Sequence, residues 1–202
     1  NNIQTQISLL FKKQNMSLKN LSVRKKIPNI YKSRLLNQRL NHIYKKFEKS
    51  FKIDTNFIVG VSGGSDSLAL AALTKEIATE NKYKFFFALV DHGIRKNSRK
   101  EALQVKKLLS KHGINLEILK NKKKIKNNIQ KKARDARYQL LENFCKKKRC
   151  KSLLVAHHQD DQIETFLIRL SRGSGVEGLS SMQEMTKLKS GVKLIRPFLE
   201  FK

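Results

Sequence analysis

The sequence predicts an α/β fold, a Rossmann-like parallel sheet flanked by helices, and three observations carry that expectation. Short apolar segments recur at residues 57–61, 84–91, 114–119 and 152–156, with helical patterns filling the spans between them. Polar clusters follow three of these strands, at 62–67, 91–95 and 157–161, where open parallel sheets bind their ligands. A chain of 202 residues with 39% hydrophobic content is long enough to bury the core of one sizeable domain.

The elements follow in order. Residues 1–50 form a basic N-terminal extension with no Asp or Glu before Glu48. Three readings fit it: an organellar transit-like segment, a basic tail or helix lying on RNA, and plain composition bias. Leu35, Leu36, Leu40, Ile43, Tyr44 and Phe47 recur at helical spacing and predict a helix over about 33–50. Residues 51–202 read as a single domain. Its helices are expected at 67–80, 98–112, about 127–148 and 159–170, joined to the strands by right-handed crossovers. The run KNKKKIKNN (120–128) reads as an exposed loop, and LIRPFLEFK near the end reads as a further strand. The chain begins with Asn and stops inside that strand-like stretch, which suggests a fragment.

Net charge is +28 and the isoelectric point about 10.3, which favours a polyanionic partner. Lysine outnumbers arginine 33 to 11, so base composition of the gene competes with function as the source of that charge. No apolar run approaches the roughly 20 residues of a membrane helix, so no membrane partner is expected. Cys145 and Cys150 lack the spacing of a C-x-x-C pair or a metal cluster, and a reducing, cytoplasmic setting fits them.

The first strand runs straight into Ser62-Gly63-Gly64-Ser65-Asp66-Ser67 and then a helix. Two glycines let backbone approach an anion, and a helix start offers free N–H groups and a positive dipole end. The alternative is a plain capped turn. No G-x-x-x-x-G-K-[ST] or G-x-G-x-x-G pattern is present. Asp91 and His92 end the second strand, in a place that suits either a nucleotide pocket or a polar turn. Asp160 and Asp161 fall in the first turn of the helix after the fourth strand. They suit Mg²⁺ beside a phosphate, a helix cap, or a zinc site with His157. Arg134 and Arg137 lie three apart on a helix and suit phosphate, RNA backbone or a solvated face. Gly173 and Gly175 end the last helix beside Arg172.

The S-G-G-x-D-S loop resembles that of the PP-loop ATP pyrophosphatases. VSGGSDS (61–67), VDHGIR (90–95), ARDARYQLL (133–141), AHHQDDQIETFLIRLSRGSGVEGLSSM (156–182) and IRPFL (195–199) together are similar to the tRNA(Ile)-lysidine synthase family, most specifically over 156–182. The resemblance implies a PP-loop ATPase fold and an ATP-dependent ligase. It would join L-lysine to C2 of the wobble cytidine of a tRNA(Ile) with anticodon CAU, through an adenylated cytidine. It implies ATP at Ser62, Gly63, Gly64, Ser65, Asp66, Ser67, Asp91 and His92. Mg²⁺ would sit at Asp66, Asp160 and Asp161, and Asp66, Asp161 and Arg137 would be catalytic. Glu164 becomes a candidate partner for the lysine ammonium, and a homodimer is a further expectation. The family's catalytic domain extends past the point where this chain stops and is followed by tRNA-binding domains, so the domain at 51–202 is expected to be truncated at its C-terminal end. Two rivals remain: another PP-loop tRNA enzyme such as a 2-thiocytidine synthase, and a basic RNA-binding module without catalysis.

Overall fold

The computed structural model describes residues 38–199 and 201, apart from 52, 54, 55, 82, 123–126, 172 and 174–181. Strand β1 (Phe57–Val61) is buried at every position, as expected of a parallel strand covered on both faces. Helix α1 (Gln38–Ser50) precedes it, and the part of the expected helix at 33–37 lies outside the described residues. Helix α2 (Ser65–Glu80) follows, then β2 (Phe85–Asp91), α3 (Ser98–Ser110), β3 (Leu116–Lys120), α4 (Ile129–Lys148), β4 (Ser152–Val155) and α5 (Gln159–Ser171). Two short strands, β5 (Met185–Lys187) and β6 (Lys193–Ile195), end the sheet.

The strand order is β3-β2-β1-β4-β6-β5. All neighbours run parallel except β5, which pairs antiparallel with β6. The chain builds outward from β1 through β2 to β3, then returns through α4 to add β4 on the other side of β1. The order therefore reverses between β1 and β4, which opens a crevice beyond their carboxyl ends. Gly60 pairs with Val155 there, so the loops after β1 and β4 emerge side by side.

Alternate residues of β1 serve opposite faces. Phe57, Val59 and Val61 join Phe47 of α1, Leu70 and Ile77 of α2 and Leu109 of α3. Ile58 faces the other way, toward Leu141, Phe144 and Cys145 of α4. An aromatic seam ties α1 to the first face. Phe47 meets Phe198 edge-on at 5.6 Å, and Phe51 meets Phe57 at 5.5 Å.

Three expectations shift. The third strand begins at Leu116, not 114, because Gly113 turns the chain at φ +67° and the Ile114 N–H bonds back to the Leu109 carbonyl. LIRPFLEFK is a strand only through Ile195. Pro197 offers no N–H for a ladder, and the chain coils so that Phe198 and Phe201 enter the core. The antiparallel β5–β6 hairpin, closed by a Leu188 N–H to Val192 carbonyl bond of 2.9 Å, had no counterpart in the expected parallel sheet.

Candidate nucleotide and metal site

The loop after β1 is organised around Ser67. Its buried Oγ accepts the N–H groups of Ser62 and Gly63, each at 3.1 Å, and donates to the Gly64 carbonyl at 2.8 Å. Ser67 thus draws the loop into a tight arc and spends its proton within it. Ser62, Gly64 and Ser65 face solvent. No side chain caps α2, so its first-turn N–H groups are open to an anion. Gly63 has φ +92°, and a Cβ there would lie 2.9 Å from Val105 Cγ2. Both the backbone angle and the space require glycine.

Across the crevice, α5 starts with a reciprocal cap. The His158 N–H donates to Asp161 Oδ2 at 2.9 Å, and the Asp160 N–H donates to His158 Nδ1 at 3.2 Å. This is a capping box with an imidazole in place of Ser or Thr and an acid at the third helical position. The other ring nitrogen, Nε2, lies 3.4 Å from Asp66 Oδ2 on α2. Asp66 and Asp161 therefore meet the same imidazole from two helix starts. Asp160 stands outside, with its side chain 78% exposed, and its carboxylate is 3.9 Å from His158 Nδ1. Among the described residues no group of three His, Cys, Asp or Glu side chains is placed to hold a metal by itself. A Mg²⁺ ion beside nucleotide phosphates would need only one or two carboxylates, and Asp66 and Asp161 are the two that meet at this crevice.

A second group lies beside the first. Asp91 is buried, and its Oδ1 accepts the N–H of Gly93, which sits at φ +64°. His92 is pushed down by burial and then by Arg137, against the pull of Asp91. Burial pushes His157 down to about 4, with Asp161 opposing and Arg196, Arg134 and Arg137 adding to it. Arg137 of α4 is thus close to both β-strand ends. Burial also lowers Arg137 itself, and Arg134 adds to that effect. Among the described residues, the Nδ1 atoms of His92 and His157 and the Nε of Arg196 are buried without a hydrogen-bond partner. Two imidazole nitrogens and one guanidinium Nε left in this state, with Arg134 and Arg137 close by, suit an anionic or strongly polar ligand.

The sequence-derived residues therefore fall in two adjoining groups. Ser62–Ser67, Asp66 and Asp161 line the β1/β4 crevice, while Asp91, His92 and Arg137 form its neighbour. Glu164 is exposed on α5, and Arg172 and Gly175 lie outside the described residues. His157 lies before α5, which starts at Gln159. Sequence reasoning missed two residues. His158 was hidden because its partner Asp66 is brought near only by the pairing of β1 with β4. Arg196 was hidden inside an apparent strand; its Nη1 donates to the Gln183 carbonyl at 2.7 Å and to Thr186 Oγ1 at 2.9 Å, fixing the segment before β5.

Known proteins resemble this chain in sequence and in fold. The tRNA(Ile)-lysidine synthase of Wolbachia pipientis wMel is 49% identical over 146 residues, covering 71% of this chain and 34% of that protein. The enzyme of the same name from the Wolbachia of Brugia malayi is 41% identical over 166 residues, covering 80% of this chain and 38% of that one. The chain thus spans little more than a third of these relatives. The U34-tRNA thiolase NcsA from Methanococcus maripaludis, solved with its [4Fe-4S] cluster, shares the fold. Its TM-score is 0.67 at 19% identity, over 81% of this chain and 59% of that one. Residues 33–202 match the PP-loop domain, and with an S-G-G-x-D-S loop at the β1/β4 switch point the chain belongs to the PP-loop domain family.

Proposed function

We propose that this chain is the nucleotide-binding and adenylating part of a tRNA(Ile)-lysidine synthase. The observation that carries the chemistry is the open Gly-rich arc at the start of α2, whose Asp66 faces His158 and Asp161 across one crevice. The names of the relatives supply the substrates.

In this reading the uncapped N–H groups of the first turn of α2 and the Ser65 hydroxyl hold the triphosphate of ATP, while the bonds that Ser62 and Gly63 make to Ser67 Oγ shape the loop around it. The C2 oxygen of cytosine attacks the α-phosphorus, the bond to the β-phosphate oxygen breaks, and pyrophosphate leaves. That step needs donors where negative charge grows, and the open N-terminus of α2 provides them. Mg²⁺ bound with the nucleotide, held by Asp66 and Asp161, would neutralise charge on the departing pyrophosphate. Asp91 and His92 border the nucleoside, and Arg137 holds an anionic group between His92 and His157. The neutral lysine amine then attacks C2, AMP departs with the oxygen, and the amine's extra proton passes to solvent. Glu164 is the candidate partner for the lysine ammonium before that step.

The sulfur-transfer rival fares worse. Cys145 and Cys150 are buried, and burial pushes their thiols up to about 12 and about 11. A thiol that stays protonated at neutral pH is a poor sulfur carrier. The test is release of AMP and pyrophosphate by the full-length protein. Release is expected only with both lysine and a CAU-anticodon tRNA(Ile). Turnover that ignores lysine would overturn the reading.

A further inference from the structure

We infer that His158 is a positioning residue for Asp66, clamping its carboxylate toward the phosphate loop. The inference deepens the proposed function and rests on it. Asp66 sits in the first turn of α2, where no side chain caps the helix, and no hydrogen bond within the loop fixes its carboxylate. A carboxylate on a single turn has freedom to swing, and a swinging carboxylate holds a cation poorly. His158 is fixed from behind. Its Nδ1 accepts the Asp160 N–H, and its own N–H is held by Asp161 Oδ2. An Nδ1 that accepts a backbone N–H carries no proton, so the neutral ring bears its proton on Nε2. That nitrogen faces Asp66 Oδ2 at 3.4 Å, long for a hydrogen bond and within range to tighten when a ligand closes the crevice. The cap of α5 and the carboxylate of α2 are thus joined through one ring across the switch point. This leaves the other Asp66 oxygen to face the metal–nucleotide complex. His158 also accounts for an imidazole at a cap position where Ser, Thr or Asp is the usual choice.

Two substitutions separate this role from simple capping. His158→Asn keeps an acceptor near the Nδ1 position and so keeps the cap, but cannot reach Asp66. His158→Gln reaches the Nε2 position with an N–H donor and gives up the cap. Titration calorimetry with ATP across a Mg²⁺ series, in the full-length protein, reads the effect without turnover. His158→Asn is expected to raise the Mg²⁺ concentration needed for ATP binding by roughly 10-fold or more, the usual scale for losing a ligand's supporting partner. His158→Gln is expected to stay near wild type, and tRNA binding to be unchanged in both. In an Asp66→Ala background His158→Asn should add nothing further. Overturning results are a Gln variant as impaired as Asn, an unchanged Mg²⁺ requirement in Asn, or additive losses with Asp66→Ala. A wild-type protein that binds no ATP would instead sink the nucleotide-site reading itself.

Discussion

Single residues carry the chemistry of this crevice, and the sharpest case is His157. The unfolded chain takes up its imidazole proton near 6.5, whereas the folded one resists until about 4. Burial is the main cause, and three arginines reinforce it. The sign follows directly: above about 6.5 neither state binds the proton and stability is unaffected. As pH falls through that window the unfolded state gains protons first, so stability drops, and the loss levels off below about 4. The scale is on the order of 3 kcal/mol. Melting curves from pH 7 to pH 4 are expected to fall less steeply for His157→Gln than for wild type. Superimposable profiles would remove His157 as the cause. Residues in one local run, such as Ser62 to Ser67, were legible from sequence because their meaning depends only on their neighbours. His158 and Arg196 were not, because each takes its role from an element distant in the chain.

At the level of elements, β1, β2 and β4 could be read because each is a nearly unbroken apolar run between polar flanks, while β3 alternates around Glu117 at the sheet edge. Ile58 and Leu153 show why: both are fully buried in strands packed on two faces. β5 and β6 are three residues each, too short to leave a period, and β6 merges in sequence with the buried coil at Phe198 and Phe201. Helix α1 was visible through its apolar spacing, and the structure gives that spacing a purpose. Phe47 is fully buried between Phe51 and Phe198, so α1 is an integral layer of the domain. Phe47→Ala should therefore cost about 3–5 kcal/mol, the range for emptying an aromatic site in a core. Denaturant unfolding measures it. A loss under about 1 kcal/mol, the scale of a surface change, would show α1 to be an accessory.

For the whole molecule, the net charge of +28 and the PP-loop crevice point the same way, toward a polyanion brought to a nucleotide site. Among the described residues no helix is long and apolar enough to cross a membrane. If the charge serves tRNA binding, affinity should fall steeply with salt, about 10³-fold between roughly 50 and 200 mM for an interface rich in phosphate contacts. A flat response would make the charge incidental. Fold, crevice and charge were all legible in outline from the sequence. What the sequence left open was which groups meet, because that depends on the reversal of strand order at β1 and β4. Transfer of labelled lysine to a CAU-anticodon tRNA(Ile), measured for the full-length protein and its Asp66→Ala variant, is the most direct test of the proposed function. Wild type is expected to label the tRNA in an ATP-dependent way, and Asp66→Ala to bind that tRNA normally yet leave it unlabelled. No labelling by the folded wild-type protein, or equal labelling by the variant, would contradict it.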